Sequence, residues 1–203
     1  MELRPLLNKA NKWVLEALPA VKSSLPFPFL GMDSDNGSEF INKPLQKWCS
    51  QEHIQFTRSR PYRKNDNCFV EQKNNACVRN FVGYGRFSSA AERDALAAVY
   101  RPLCPLLNYF MPTLKLLSKT RVGSKIKKAY DTKVLSPYQR QRLLASADLG
   151  DEAKGELIRR HGLYDPAALQ REVHDAVDAL MSLKKIQKLE GVESLAVSAL
   201  HAV

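Results

Sequence analysis

Two acidic residues stand out by type and spacing. Asp35 falls in Gly31-Met32-Asp33-Ser34-Asp35-Asn36-Gly37-Ser38-Glu39-Phe40, and Glu71 falls in Asn67-Cys68-Phe69-Val70-Glu71-Gln72-Lys73-Asn74. The residue type sets the chemistry: an ionised carboxylate is a hard oxygen donor that suits hard divalent cations. A pair of such ions held about 3.5–4 Å apart can activate an attacking oxygen and stabilise a leaving one. Two carboxylates can do this only if the fold brings them together, and 35 residues separate them.

The intervening pattern allows that meeting. Pro28, Phe29, Leu30 and Met32 form an apolar run, read as a strand over about 28–33, and Asp35-Asn36-Gly37 breaks it as a turn. Asp35 is thus expected just past a strand end, on a rigid support. Asn42 is placed to cap a helix with Pro44 in its first turn and Leu45, Trp48 and Cys49 on its apolar side. Trp48 is read as core. Residues 54–58 alternate as a half-buried strand. Asn65 or Asp66 then caps a second helix, with Glu71 in its first turns and Gly83-Tyr84-Gly85 ending it after Val82. At about 100° per residue Glu71 shares a face with Asn74, Asn75 and Val78. Phe69, Val70, Cys77 and Phe81 gather on another face, and Lys73 falls on that apolar arc. One helix and one strand between the two acids let them converge at one end of a sheet.

Asp35-Asn36-Gly37-Ser38-Glu39-Phe40, the spacing to Glu71, and Arg60-Pro61-Tyr62-Arg63-Lys64-Asn65-Asp66 running into Val70-Glu71-Gln72-Lys73-Asn74 closely resemble the integrase core of DDE transposases. These are insertion-sequence transposases related to retroviral integrases. The resemblance covers about residues 20–87 and continues more faintly to about 147, where Lys119-Thr120-Arg121 and Pro137-Tyr138-Gln139-Arg140 look like the family's linker. It implies an α/β fold: a partial ribonuclease H-like core followed by an α-helical C-terminal region. The boundaries expected are a partial catalytic core over 1–87, a helical and basic linker over 88–135 and a helical region over 136–203.

The family cuts and joins DNA strands with three carboxylates and Mg2+ or Mn2+. Asp35 matches the second carboxylate and Glu71 the third. The first lies, in the family, on an opening strand well before Asp35. Residues 1–32 contain no Asp, and Glu2 and Glu16 lie at the terminus and within a helical pattern. The expectation is a transposase core without its front, which binds DNA but is catalytically incomplete alone. Arg58, Arg60, Tyr62, Arg63 and Lys64, in the loop before the Glu71 helix, are expected DNA contacts, as are Lys73, Asn75 and Arg79 on that helix. Arginine and lysine would contact phosphates and Tyr62 would stack on a base. Alternatives are a non-catalytic DNA-binding or regulatory remnant, with full-length transposase as a partner, and a helical oligomerisation module.

Charge supports a polyanionic partner. The 203 residues carry 31 Lys and Arg against 21 Asp and Glu, for a net charge of +10. The excess is concentrated: residues 58–86 hold seven basic residues against Asp66 and Glu71, and residues 115–140 hold eight against Asp131. Basic segments beside a candidate metal site suit a nucleic acid. No run of about 18 apolar residues is present, so no membrane span is expected. Asn8, Lys9, Asn11, Lys12 and Glu16 interrupt any signal-peptide pattern, and a cytoplasmic location is the expectation. Cys49, Cys68, Cys77 and Cys104 lack paired zinc spacing and are read as reduced thiols.

The remaining chain reads mostly helical. Leu7, Ala10, Val14 and Leu18 predict a helix over 5–18 that Pro19 ends or kinks. Ser23-Ser24-Leu25-Pro26 is read as loop. Ser89-Ala90-Ala91-Glu92 is a capping box opening a helix with Ala95, Leu96, Val99, Tyr100 and Leu103, broken by Pro102, Pro105 and Pro112. Lys115 to Lys133 is a basic stretch punctuated by Gly123 that clasps nucleic acid or links to the tail. Helices are predicted over 137–147, 150–161 and 166–189, with Gly162 ending the second, Asp165-Pro166 opening the third and 190–203 frayed. Leu169, Val173, Ala176, Leu180 and Leu183 form a short seam, which pairs subunits as a homo-oligomer or, as its brevity favours, packs within the chain.

Overall fold

The computed structural model describes residues 1–34, 43–60, 74–111, 115–131 and 143–200. The described residues are mixed α/β, mostly helical, with two two-stranded sheets. The chain divides into two compact units, one of Arg4–Tyr100 with Glu172–Val203 and the other of Met1–Leu3 with Arg101–Arg171. Among the described residues, no helix is long and apolar enough to cross a membrane.

In the unit containing Arg4–Tyr100, helix α1 spans Asn11–Ser24, later at both ends than the predicted 5–18. The start is delayed because the Ala10 N–H donates to Asn8 Oδ1 at 2.9 Å, a local turn that competes with helix, and Ala10 is extended. Pro19 does not end the helix. It lies inside α1, and Val14 and Leu18 on the preceding turns are buried. Removing one backbone hydrogen bond is a local loss that packing of an apolar stripe can outweigh. Ser23 and Ser24, read as loop, close the last turn by donating from their hydroxyls to the carbonyls of Ala20 and Val21. Leu25, before Pro26, is extended, as the proline ring requires.

Strand β1 (Gly31–Ser34), helix α2 (Lys43–Gln51) and strand β2 (Gln55–Arg58) follow. The strands pair in parallel, with Gly31 opposite Gln55 and Ser34 opposite Arg58. Parallel strands need a crossover connection, and α2 lies in it. Leu45 and Cys49 of α2 are buried with Val14, Leu18 and Ile54, and Met32, Trp48 and Phe56 pack against this cluster. Trp48, read as core, is half-buried at the edge of this cluster. The end of α2 is a Schellman turn: Ile54 N–H donates to the Cys49 carbonyl at 2.7 Å and His53 N–H to the Ser50 carbonyl at 3.3 Å. His53 occupies the left-handed position at φ 57°, where glycine is usual.

After the Glu71 region the chain continues as a π-helical turn, Asn75–Arg79, and one α-turn, α3 (Asn80–Val82). Helix α4 spans Ala90–Pro105 and passes directly into a second π-turn, Leu106–Phe110. The predicted breaks at Pro102 and Pro105 are thus absent. Both prolines lie inside the helix, and the wider turn that follows Pro105 relaxes the register where a proline has removed a donor. Val99 and Leu103 are fully buried. The capping box at its start forms as read: Glu92 Oε2 accepts from the backbone N–H groups of Ser88 and Ser89, and the Glu92 N–H donates to Ser89 Oγ.

In the unit containing Arg101–Arg171, the buried Asn108 amide is satisfied by Met1, accepting from its amine at 2.7 Å and donating to its carbonyl at 2.8 Å. Residues 115–131, read only as a basic stretch, form an antiparallel hairpin of β3 (Lys115–Val122) and β4 (Lys125–Asp131). Gly123 at φ 62° supplies the first central position of its two-residue turn. Of the helix expected over 137–147, only 143–147 are described, and Ser146 N–H donates to the Leu143 carbonyl in a turn. Helix α5 (Asp151–Leu163) starts and ends within two residues of its prediction and runs through Gly162. Its Leu157 is buried with Tyr109 and Leu149. Helix α6 spans Pro166–Leu200, eleven residues beyond the predicted end. Asp165 caps it as read, Oδ1 accepting from the Ala167 N–H at 3.0 Å. Leu169, Val173 and Leu180 of the expected seam are buried within the single chain.

Candidate nucleic-acid interface

Asp35 and Glu71 lie outside the described residues, as do Tyr62, Arg63, Lys64 and Lys73. What is described is the framework on either side of them. Ser34, the residue bonded to Asp35, is the last residue of β1. Its carbonyl accepts from the Ser59 N–H at 2.9 Å, so the parallel pairing extends one step beyond Arg58. The carboxyl ends of β1 and β2 are therefore level. Ligands of open parallel sheets bind beyond the carboxyl ends of their strands. Here that end carries, by sequence, Asp35 after one strand and Arg58-Ser59-Arg60 at the end of the other.

Strand alternation sets which groups face away from the core. Met32 and Phe56, paired with one another, point to the helices. Asp33 and Thr57, also paired, point the other way, and Thr57 Oγ1 donates to Asp33 Oδ1 at 2.7 Å. Asp33 is thereby engaged as an acceptor. At the strand ends the Ser34 and Ser59 side chains are both buried, and among the described residues neither hydroxyl has a hydrogen-bond partner. Arg58 and Arg60 are exposed.

Asn75 and Arg79, expected as DNA contacts, are both exposed on the π-turn. Because Asn75–Arg79 is π rather than α, the uniform 100° step does not hold there. Cys77 is nevertheless buried and Phe81 half-buried, as their placement on the core face requires. Tyr84, a residue that the sequence reading did not single out for binding, joins these two. Its hydroxyl donates to Asn75 Oδ1 at 3.1 Å, and the Arg79 guanidinium lies 5.0 Å from its ring centroid. The arrangement is a planar cation stacked on an exposed aromatic ring, suited to phosphate and to a nucleobase face. A cleft of about 180 Å³ beside it is lined by Asn74, Val78, Arg79, Tyr84, Phe87 and Leu96.

The loop carrying Tyr84 is fixed from both sides. Gly83 stops α3 at φ 72°, ψ −162°, a region reserved almost wholly for glycine. Beyond the loop, backbone hydrogen bonds from Ser88 and Ser89 hold the Glu92 carboxyl below its ordinary pKa. Lys184 of α6 reaches the same loop, its Nζ 4.8 Å from the Phe87 ring centroid.

Among the described residues no group of three or more His, Cys, Asp and Glu side chains is arranged to hold a metal ion. Cys49 and Cys77 are buried thiols, and burial pushes the Cys49 thiol pKa up. No protein-family model matches the chain. The chain is 43% identical over 129 residues to uncharacterized protein y4rM of Sinorhizobium fredii (strain NBRC 101917 / NGR234). That alignment covers 64% of this chain and 37% of the relative, so the chain spans little more than a third of the relative's length.

Proposed function

We propose that this chain is a DNA-binding segment of a DDE-type transposase, with Asp35 and Glu71 as two of the three carboxylates of a ribonuclease H-like core. The observation that carries this reading is the parallel β1–α2–β2 unit. Its strand ends are level, and in sequence Asp35 follows one of them directly while Arg58 and Arg60 stand at the other. The residue order required by the resemblance thus falls on the end of the sheet where α/β proteins bind ligands.

In this reading Asp35 and Glu71 hold Mg2+ or Mn2+, and two oxygen-donor carboxylates fit either ion. The bound ion would supply activation of the attacking oxygen and stabilise the leaving oxygen of a phosphodiester. The chain's own cations hold the DNA: Arg58, Arg60, Arg63, Lys64 and Lys73 contact phosphates, Arg79 and Tyr84 offer a stacked platform, and Asn75 orients Tyr84. Asp35 and Glu71 supply two of the three carboxylates that the family uses. To this chain we assign DNA binding and these two metal ligands.

Mobility shift of a labelled duplex tests the reading. The chain retards the duplex at low salt, and Arg79→Ala with Tyr84→Ala weakens retardation by about tenfold, as loss of a stacking contact and a phosphate contact implies. A chain that leaves duplex DNA unshifted at low salt contradicts it.

A further inference from the structure

The β3–β4 hairpin sets a problem that its own packing does not solve. It contains six cations, Lys115, Lys119, Arg121, Lys125, Lys127 and Lys128, against Asp131. Lys119, Arg121, Lys125, Lys127 and Lys128 are exposed, and among the described residues none of these five is ion-paired. Lys119 stands directly opposite Lys128. Like charges directly opposite one another destabilise a strand pair, so this register is a cost that no ion pair among the described residues offsets.

The register also sorts the side chains onto two faces. Residues opposite one another share a face, and alternate residues along a strand do too. Lys119, Lys128, Arg121 and Ile126 therefore lie on one face. The irregularity between Leu116 and Ser118 shifts the alternation by one residue and brings Leu116 and Tyr130 onto that same face. The other face carries Lys115, Lys125 and Lys127, with Lys115 opposite Asp131. The first face thus combines three cations that lack an ion-pair partner among the described residues with exposed Leu116, Ile126 and Tyr130.

We infer that β3–β4 is a duplex-DNA-binding ribbon that enters the major groove with its Lys119–Arg121–Lys128 face. This inference rests on the DNA-binding reading above and names the element and the face. A major groove about 12 Å wide admits a two-stranded ribbon. The seven paired positions give a length of roughly 24 Å, enough to follow the groove past several phosphates of each strand. Lys119 and Lys128, repelling one another across the ribbon, reach to the two phosphate walls. Arg121, whose Nε donates to the Gly123 carbonyl at 3.2 Å, presents its remaining guanidinium N–H groups near the ribbon tip. Ile126 supplies an apolar contact of the kind thymine methyl groups accept.

Fluorescence anisotropy of a labelled 30-base-pair duplex, titrated with the full chain across a salt series, tests this inference. Two variants remove equal charge from opposite faces: Lys119→Ala/Arg121→Ala/Lys128→Ala and Lys115→Ala/Lys125→Ala/Lys127→Ala. Circular dichroism matching the unaltered chain establishes that each still folds. The first variant is expected to lower the slope of log K against log salt by about 2.7 and to weaken binding at least tenfold, the second to do markedly less. Equal losses in the two variants overturn the assignment of the face. Unchanged binding in both overturns the hairpin as the contact while leaving DNA binding elsewhere on the chain standing. Tighter binding to the single strand than to the duplex overturns the groove. No binding by the unaltered chain removes the DNA reading and this inference together.

Discussion

Glu92 is a carboxylate whose role is fixed by geometry alone. It accepts from two backbone N–H groups and the Ser89 hydroxyl, while its own N–H donates back to Ser89 Oγ. Glu92→Ala leaves those donors unpaired at a partly buried helix start, and we expect a loss of about 1–2 kcal/mol in urea unfolding. Because the folded-state pKa is lowered, this contribution is complete above the ordinary value of 4.5 and is lost as pH falls through the folded value. Glu92→Gln should therefore flatten the acid limb of stability against pH below 4.5; an acid limb identical to that of the unaltered chain would show that Glu92 does not shape it. His53 gives a prediction of opposite sign. It holds a left-handed conformation at the Schellman turn that positions β2. His53→Gly should raise stability by about 0.5–1 kcal/mol, net of the entropy glycine adds to the unfolded chain. A lower melting temperature would contradict that account of the turn.

Elements differ in how plainly the residues announce them. The capping box, the Asp165-Pro166 helix start and the apolar side of α2 were legible because each is local: a few side chains satisfy backbone groups or a core within one or two turns. The prolines misled for the converse reason. Pro19, Pro102 and Pro105 each remove one donor, and burial of Val14, Leu18, Val99 and Leu103 decides the outcome over a whole helix. The β3–β4 hairpin was hidden because its alternation slips at Leu117 and both of its faces carry lysine, so period two leaves no apolar stripe. Gly123-Ser124 was its one local signal. At the candidate site, the alternation over 54–58 gave β2 to within one residue, whereas the strand expected over 28–33 forms at Gly31–Ser34 and takes in only Met32 of the apolar run that suggested it. Tyr84 was not legible, since its partner residues Asn75 and Arg79 sit on a turn wound as π. Gly83 holds that element to the loop, and Gly83→Ala should cost about 1–3 kcal/mol in thermal unfolding, because φ 72° with ψ −162° strains any Cβ. An unchanged melting temperature would mean the loop adopts another conformation at no cost.

At the scale of the whole molecule, charge and carboxylates together define the account. The two basic segments, 58–86 and 115–140, carry the whole of the net positive charge, so DNA affinity should be steeply salt-dependent. With at least six phosphates engaged, raising salt from about 50 to 200 mM should weaken binding by about a thousandfold. A salt-independent affinity would point to a different kind of ligand. The central claim is that Asp35 and Glu71 share a divalent ion. Electron paramagnetic resonance of free Mn2+, titrated with the chain, tests it most directly. The account predicts that Asp35→Asn and Glu71→Gln each weaken Mn2+ binding by about tenfold or more, and that the double variant is no worse than either single one. Mn2+ binding unchanged in either single variant would contradict it.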